Sequence, residues 1–520
     1  MTDNSGLLLA LMAASFLPAA LIFPLPERWE LTRRAINLAG AAIKVVLVLV
    51  LAVGVFTGNV YEWRATFLPG IDLVLRADPI PVLFVFLSAL LWFTTTIYAI
   101  GYLARGDHRS RFFGFFSLCV AATVGIALAG NLVTFLIFYE LLTVTTYPLV
   151  VHQGDEQARA GGRIYLLYTI TGGAVLLLGT VWLQAVAGTV TFGDTAVLTG
   201  MVASHRTSLI AIFVLLITGL GVKAALVPLH GWLPRAMVAP APVSALLHAV
   251  AVVKAGAYGI VRVIHDLYGA PLAAELGVLT PLAVVAACTI VYGSLRALVQ
   301  DNIKRRLAFS TISQLSYIVL GASIVSLASV TGALAHLVHQ GVMKVTLFYG
   351  AGILARNYGI HAVSQMAGAG RRAPVTMTMM TIAALGMVGV PPTVGFVTKW
   401  HLGLGAADVG QPWVIAVLVL SSLLNAAYFL PMLARAWFAR EQEVPAHRTA
   451  AATTAAATPH GMRITGSAVR AKLREADLWL LFPAVLTGTS VLVLGVFAGL
   501  PFSPIDWAED IARVLFQGRP

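Results

Sequence analysis

Apolar runs of roughly 20 residues recur along the whole sequence of 520 residues, and they restrict the possible folds more than any other feature. Each run is long enough for a helix to cross a hydrocarbon core of about 30 Å. Only α-helices and closed β-barrels satisfy their backbone hydrogen bonds in lipid. Because the runs are continuously apolar rather than alternating, we predict an all-α integral membrane protein. The charged fraction of 11% agrees with this, since soluble proteins average about a quarter.

The apolar runs predict about fourteen transmembrane helices, which we call spans and number in chain order. The first run, Leu7 to Leu25, has no basic stretch before it and is followed by further spans, so we expect a membrane helix rather than a cleaved signal. Spans four and five are separated only by Gly130 and Asn131. The predicted spans cover residues 6–24, 36–57, 79–103, 112–129, 131–151, 164–187, 208–228, 242–265, 272–297, 306–329, 331–355, 375–400, 412–437 and 478–500.

Basic residues concentrate in the loops that follow odd-numbered spans, and few occur in the loops that follow even-numbered spans. The positive-inside rule therefore predicts that the odd-to-even loops are cytoplasmic and that both termini lie on the non-cytoplasmic side of the inner (plasma) membrane. The net charge of +12 is explained by these loops, so we expect no nucleic-acid partner. The loop residues are Arg28, Arg33, Arg34, Arg105, Arg109, Arg111, Arg159, Arg163, Arg296, Lys304, Arg305, Arg306, Arg356, Arg371, Arg372, Arg435, Arg440, Arg470, Lys472 and Arg474.

Several spans contain ionisable residues. A charged side chain in the middle of a bilayer is energetically unfavourable, so each such residue indicates a partner, a hydrated cavity or a function. Five of them recur in spans five, seven, eight, eleven and twelve: Glu140, Lys223, Lys254, Lys344 and Lys399. Lys44, in the second span, has no polar companions nearby, and we interpret it as a snorkelling or ion-paired structural residue.

The five residues together predict a proton pathway. A buried lysine gives up its proton more readily, while a nearby carboxylate opposes that loss. Glu140 and Lys223 would then form a switchable ion pair. Four histidines lie near the lysines and would relay protons, although each could equally be a satisfied core residue: His230, His248, His336 and His339. A metal site at the last two is disfavoured, because no acidic or cysteine ligand accompanies them.

Prolines interrupt two of the lysine-bearing spans. Span seven ends with Pro228 and Pro234, and span twelve contains Pro391 and Pro392. Non-helical backbone at membrane depth is tolerated only against protein or a water-filled cavity, and paired breaks in matching halves indicate an inverted-repeat transporter. If spans four to eight and nine to thirteen are two inverted repeats of five helices, the breaks coincide and pseudo-symmetry relates the lysines of spans seven and twelve. Ordinary proline kinks are the alternative.

These repeats organise the predicted domains. We expect a three-helix segment at 1–111, a first repeat at 112–265, a second repeat at 266–437, a cytoplasmic linker at 438–477, and the last span with its tail at 478–520. The stretch from Glu441 to Lys472 is polar and of low complexity. Residues Asp506 to Phe516 could form a short amphipathic helix.

The sequence contains no motif of enzyme chemistry, so whether the chain is part of an enzyme stays open. It has no Walker A sequence and no G-x-G-x-x-G on a strand. Its two cysteines, Cys119 and Cys288, lie in apolar runs and cannot supply a disulfide framework, an iron–sulfur cluster or haem attachment. We therefore expect neither a cofactor nor a bound metal.

Four segments of the chain resemble a known family, the antiporter-like subunits shared by respiratory complex I and the Mrp cation/proton antiporters. They are FYELLTVTTYPLV, KAALVPLHGWLPRAMVAPAPVSALLHAVAVVKAGAY, LVQDNIKRRLAFSTISQLSYI and GMVGVPPTVGFVTKW. In that family a carboxylate on helix five pairs with a lysine on broken helix seven, and residues on helices eight and twelve continue the axis. The matching positions here are Glu140, Lys223, Lys254 and Lys399.

Within the family the chain looks most like the D subunit of the Mrp antiporters, because histidine precedes lysine by five residues in HQGVMK. The resemblance implies a proton-translocating subunit that works with other membrane subunits in the lipid bilayer and exchanges protons for Na⁺. The alternative is a proton-pumping membrane-arm subunit of a complex I-like NADH:quinone dehydrogenase, a hydrogenase or an inorganic-carbon-uptake complex. A structural scaffold with a vestigial axis is the third possibility.

Overall fold

The computed structural model describes residues 5–104, 106–440 and 475–517, and helices dominate it. The predicted linker, from Glu441 to Lys472, lies outside the described residues, as do Arg105 and Arg474. The helices are α1 Ser5–Ile22, α2 Glu30–Phe56, α3 Pro79–Tyr102, α4 Arg109–Leu128, α5 Leu132–Val150, α6 Glu156–Ala187, α7 Ala196–Gly200, α8 Val202–Ala224, α9 Ala241–Ala249, α10 Val252–Arg262, α11 Ala270–Glu275, α12 Leu279–Leu298, α13 Ile303–Ala322, α14 Leu327–Tyr358, α15 Ala369–Arg372, α16 Pro374–Val388, α17 Val394–Asp408, α18 Pro412–Phe438, α19 Leu478–Val496 and α20 Pro504–Gln517.

Eleven segments of the described chain are long and apolar enough to cross a membrane, which confirms the all-α membrane fold. One of them, Ala241–Tyr268, contains α9, α10 and a π-helical turn. The three other predicted spans coincide with α13, α14 and the α16–α17 pair. They are less apolar or shorter because α13 begins with three basic residues, α14 carries two histidines and Lys344, and the last pair is interrupted. The tail helix is present as α20.

A β-hairpin between α2 and α3 was not expected from the sequence. Strand β1 (Tyr61–Leu68) pairs antiparallel with β2 (Ile71–Ala77) across a turn in which Gly70 has a φ of +79°. Gly70 is suited to this turn because a residue without Cβ adopts positive φ without strain. The hairpin packs against the α4–α5 junction, where Gly130 N donates to Val74 O at 2.8 Å. It therefore closes one end of the helix bundle.

Loops that the sequence assigns to the same side of the membrane do meet in the structure. At one end Arg262, in the last turn of span eight, binds Asp78 at the end of the hairpin. Gly193 N, after span six, donates to Asp266 O, just after span eight, at 2.7 Å. At the other end the Ser364 hydroxyl donates to Asp301 at 2.7 Å. These contacts support the predicted alternation of loops, while the side that each end faces stays a prediction of the charge rule.

The predicted breaks in spans seven and twelve both exist. Helix α8 ends at Ala224, after which Ala225 takes a left-handed conformation with a φ of 58°. Helix α16 ends at Val388, and α17 begins at Val394. A third break, between α9 and α10, carries no proline and was missed. It places Ala249 O against Gly341 of α14, where an added Cβ would lie 3.1 Å from that oxygen.

The buried centre of the molecule is formed by the segment Ala241–Tyr268 and by α13 and α14. Every residue of that segment is buried inside the protein. Helix α14 runs for 32 residues through this centre and contacts α3, α9, α13, α16, α17, α19 and α20. The ionisable residues of the predicted pathway therefore converge around α14 and the helix pair α8–α10.

Candidate functional site

Glu140 and Lys223 are neighbours, but they form no direct ion pair although both side chains are described. Lys223 is fully buried at the end of α8, and its Nζ donates to the main-chain carbonyl oxygen of Tyr139 on α5. The ammonium also lies 3.4 Å from the centre of the Tyr139 ring, a cation–π contact. The Glu140 carboxylate interacts with this charge through space. The lysine is thus held beside the carboxylate by neutral groups.

Glu140 fits against a glycine of α6. An added Cβ on Gly173 would overlap Oε1 of Glu140 and lie 2.6 Å from its Cδ. Oε1 is buried and has no hydrogen-bond partner in the part of the chain that the structure describes. A buried carboxylate oxygen normally accepts a hydrogen bond, so this oxygen can accept one if a neighbouring donor group moves towards it.

Lys254 continues the group from the neighbouring helix. Helix α10 approaches α8 so closely at Gly256 that an added Cβ would lie 2.8 Å from the carbonyl carbon of Lys223. Lys254 is fully buried, and its Nζ donates to Leu337 O on α14 at 2.5 Å. This contact places the ammonium beside His336 and within electrostatic reach of His339.

His336 connects α14 to the broken helix pair. Its Nδ1 lies 3.1 Å from the hydroxyl of Thr398 on α17. Its ring lies 5.4 Å from that of Tyr317 on α13, and the same tyrosine ring lies 5.5 Å from Nζ of Lys399. Tyr317 therefore stands between the histidine and the last lysine.

Lys399 reaches back to the end of the preceding helix. Its Nζ donates to Val388 O at 2.7 Å, to Met387 O at 3.1 Å and to Ser422 Oγ at 2.9 Å. A positive charge at a helix C-terminus is favourable, because the last carbonyls carry a partial negative charge. A cavity of about 610 Å³ adjoins this lysine between α17 and α18.

Lys344 lies on a different face of α14, with its ammonium bound to Ser310 Oγ and to Leu307 O on α13. His248 of α9 interacts electrostatically with Lys344, and it also interacts with Lys304 at the start of α13. Both nitrogens of His248 are buried without a hydrogen-bond partner among the described residues. Lys344 and His248 are thus neighbours of each other, whereas His336 interacts with both Lys254 and Lys399, and His339 interacts with Lys254.

Two remaining residues lie apart from this group. His230 is half-buried in the segment after α8 and packs edge-on against Tyr292 of α12, with ring centres 4.9 Å apart. Lys44 is fully buried rather than snorkelling. Its Nζ donates to Ser15 Oγ of α1 and lies 4.9 Å from the centre of the Trp92 ring. Hydrogen bonding and cation–π contact stabilise Lys44 instead of an ion pair.

The described residues contain no group of three or more His, Cys, Asp and Glu side chains that could hold a metal ion.

Sequence reasoning missed the neutral polar side chains of the site. These are Tyr139, Gln314, Tyr317, Gln340 and Thr398. The Ser, Thr, Gln and Tyr residues of the segment AFSTISQLSYI were an available signal, since polar side chains inside a span usually bond within the bundle.

The family model described as NADH:quinone oxidoreductase/Mrp antiporter, TM, matches residues 129–425, which is more than half of the chain. The chain belongs to this family. The N subunit of the NADH-quinone oxidoreductase of Desulforudis audaxviator is 34% identical over 433 residues, covering 82% of this chain and 82% of that protein. The D subunit of the Na⁺/H⁺ antiporter of Bacillus subtilis is 30% identical over 426 residues, covering 80% and 84%.

Structural similarity agrees with this assignment. A chain in the structure of the Mrp complex from Dietzia sp. DQ12-45-1b superposes with a TM-score of 0.84 and 25% identity, covering 99% of this chain and 98% of that one. The resemblance inferred from the four sequence segments is confirmed at the level of the family. The two relatives named above are an N subunit of a quinone oxidoreductase and a D subunit of an antiporter, so the narrower assignment belongs to the proposal below.

Proposed function

We propose that this chain is the proton-translocating subunit of a multisubunit Mrp-type Na⁺/H⁺ antiporter, in the position of the D subunit. The observation that carries the proposal is the series of ionisable groups inside the membrane-spanning helices α5, α8, α10, α14 and α17. Placing five such groups within membrane-spanning helices is unfavourable, and a stabilising role does not require a series of this kind. Protons and Na⁺ are the proposed transported ions, and other membrane subunits are the proposed partners.

In this proposal protons pass from Glu140 and Lys223 to Lys254, then through His336 and His339 to Lys399. Lys344 and His248 form a branch that reaches Lys304 at the start of α13. Glu140 gates the series, because a rotation of its side chain towards Lys223 would replace the carbonyl of Tyr139 as the partner of the ammonium. His230, near the break after α8, belongs to the access route.

The proposal includes the predicted division into two inverted repeats, 112–265 and 266–437, flanked by 1–111 on one side and by 438–477 and 478–520 on the other. Interrupted helices in both halves are typical of such transporters. The breaks after α8 and between α16 and α17 support the division. Both termini are proposed to lie on the non-cytoplasmic side of the plasma membrane.

A membrane-arm subunit of a complex I-like dehydrogenase is the second candidate function. It is favoured by the similarity to the N subunit of an NADH-quinone oxidoreductase, which covers the chain as fully as the antiporter relative does. The same residues would then move protons under the control of a redox partner. The two candidates differ in whether a Na⁺ gradient alone drives proton flux.

The test is ion flux in vesicles that contain the purified assembly with the wild-type or variant chain. We expect a Na⁺ gradient to drive proton movement, and Glu140→Gln and Lys223→Ala to abolish it without loss of assembly. Lys44→Met is the matched control, because it removes a buried lysine that lies outside the series, and it should transport normally. Full activity of both pathway variants would refute the proposal. Proton movement that requires a reductant and quinone would favour the second candidate.

A further inference from the structure

A second row of polar residues begins at Lys254 and runs along α10 and the π-helical turn after it, Val263–Tyr268, away from the series described above. Lys254, Tyr258, Arg262 and Asp266 follow one another at intervals of four residues, and we call them the α10 stripe. Residues four apart share one face of a helix. All four are buried. At 1.5 Å per residue the α10 stripe covers about 18 Å, from the centre of the protein to the end that carries the hairpin and α20.

The far end of the α10 stripe is an ionic cluster. Arg262 is 1% exposed, and its Nη1 lies 2.8 Å from Asp266 Oδ2 and 3.2 Å from Asp78 Oδ1. The Phe192 ring lies 4.5 Å from the guanidinium carbon. Among the described residues, one guanidinium therefore faces two carboxylates in a buried setting.

A cavity of about 120 Å³ opens at this cluster. Asp78, Asp266, His265 and Thr195 line it, and residues of α20 form part of its wall. A water molecule occupies about 30 Å³ of liquid volume, so the cavity can hold a few waters next to the carboxylates. Nε of Arg262 is buried and lacks a hydrogen-bond partner among the described residues, which provides a further polar group for water.

Tyr258 occupies the middle of the α10 stripe. Its ring stacks on Phe84 with centres 4.5 Å apart and lies 6.0 Å from the Arg262 guanidinium. Its hydroxyl donates to Ala127 O at 2.8 Å. A phenol both donates and accepts hydrogen bonds, so it can accept a proton on one side while it releases its own on the other.

A purely structural explanation covers only part of this arrangement. An Arg–Asp pair between α10 and α3 would tie the two helices together with one carboxylate. Asp266 belongs to the same segment as Arg262, so the ion pair between these two residues adds desolvation without linking the two helices. The polar cavity and the buried polar residues at intervals of four back to Lys254 are likewise not needed for a helix tie.

We propose that the α10 stripe is the route by which Lys254 exchanges protons with the α20 end of the molecule, and that Asp266 and Asp78 are its terminal proton acceptors. The inference rests on the proposed function. A series of groups that moves protons across a membrane must reach water on both sides, and the α10 stripe would connect it to one of them. In outward transfer the Lys254 ammonium becomes a neutral amine. The proton passes through water and the Tyr258 hydroxyl, which is unchanged at the end, and protonates one carboxylate. That carboxyl group then releases the proton to water in the cavity.

Arg262 keeps its charge throughout and holds whichever carboxylate is ionised. Among the described residues that line the cavity, His265 is the remaining titratable group. Its Nε2 lies 3.1 Å from Ala322 O, so it is held by α13. The charge rule predicts that this end is non-cytoplasmic.

The first test uses the assembled complex in vesicles with Asp78→Asn, Asp266→Asn and the double variant. We expect each single variant to slow proton flux and the double variant to abolish it. The conservative variant Asp266→Glu, which retains a carboxylate, should transport faster than Asp266→Asn. Wild-type flux in the double variant would overturn the inference.

The second test does not depend on the carboxylates and so remains decisive if those variants fail to assemble. In a Cys288→Ser background, Thr195→Cys places a thiol at the cavity, and Ser204→Cys is the exposed control on the same side. A membrane-impermeant cationic thiol reagent should block flux in the Thr195 variant when added from the α20 side, and should not affect the control. Unblocked flux after complete labelling would overturn the inference.

The two proposals fail in different ways. If Glu140→Gln and Lys223→Ala abolish flux while the double carboxylate variant and the labelled cavity do not, the proposed function stands and the α10 stripe is refuted. If the wild-type assembly moves no protons under any driving force, both are refuted.

Discussion

The ammonium of Lys223 donates to the main-chain carbonyl oxygen of Tyr139, the residue before Glu140, and not to the Glu140 carboxylate. The lysine and the carboxylate are therefore adjacent without neutralising each other. A carboxylate that is close but unpaired stabilises the protonated lysine less than a direct ion pair would. Rotation of one side chain is enough to change the proton affinity of Lys223, which is the property that a gate in a proton pathway needs.

Gly173→Ala should disturb this arrangement without removing any titratable group. The new methyl group would overlap Oε1 of Glu140 and force the carboxylate away from α6. We expect a clear loss of proton flux, measured in vesicles, with assembly retained. Gly403→Ala is the matched control, because a Cβ at that helical position meets nothing within 4 Å. Alanine stabilises a helix by up to about 1 kcal/mol over glycine, so the control should be at least as stable as wild type.

If Gly173→Ala transports as fast as Gly403→Ala, the position of the Glu140 carboxylate does not limit transport. The gating role proposed for the contact between α5 and α6 would then be wrong, although the series of lysines could still carry protons.

The positions of the membrane helices could be predicted well from sequence, because a continuous apolar run leaves few alternatives in lipid. The charged residues of the site were equally conspicuous, since each is costly in its span. The side-chain partners were not predictable. Glu140 and Lys223 were expected to form an ion pair, but which atom the ammonium meets depends on how α5 and α8 pack.

The remaining differences have local causes. The break between α9 and α10 has neither proline nor glycine at Val250 and Ala251, so the sequence carries no signal for it. Thr398 and Tyr317 are neutral and therefore do not stand out in an apolar helix. The relation between Lys223 and Lys399 is also less simple than the repeat suggests, since one precedes its break and the other follows it. The proposed equivalence of the two lysines stays a prediction.

Thr398→Val should show whether the orientation of His336 matters. The substitution keeps the shape of the side chain and removes the hydroxyl that lies 3.1 Å from Nδ1. Loss of one neutral hydrogen bond in a buried setting is worth about 1 kcal/mol, which corresponds to a several-fold slower flux if the bond positions the ring for transfer. Thr398→Ser retains the hydroxyl and should restore the rate. Equal rates in all three proteins would show that His336 is not held by this contact during transport.

Asp301 links two loops at the end of the bundle opposite α20 and gives a prediction for pH. The Ser364 hydroxyl and main-chain amide donate to its carboxylate, and these hydrogen bonds hold the pKa of Asp301 below its ordinary value. Because the pKa is lower in the folded state, the link stabilises the protein above the unfolded-state pKa and is lost as pH falls through the folded value. The carboxylate is exposed, so the contribution is at most about 1 kcal/mol.

Thermal unfolding in detergent measures this contribution. The melting temperature of wild type should exceed that of Asp301→Asn near pH 7, and the difference should shrink towards zero as the solution is acidified below about pH 4. A difference that is independent of pH would mean that the carboxylate acts only through its shape.

Lys399 should affect both stability and transport, unlike Lys254. Its ammonium binds two carbonyls at the end of α16 and the hydroxyl of Ser422, so it holds together α16, α17 and α18. A cation at a helix C-terminus contributes roughly 0.3–1 kcal/mol, and up to about 2 kcal/mol when partly buried. We expect Lys399→Met to lower the melting temperature and to abolish proton flux.

Lys254→Met should abolish flux with little loss of stability, because Lys254 makes a single hydrogen bond among the described residues and its burial as an ion is unfavourable. Lys399→Arg separates the two roles: it retains a charge that can bind the carbonyls but cannot release its proton, so stability should return while flux does not. Transport by the arginine variant would mean that the residue acts as a fixed charge, and that protons leave the series before they reach α17.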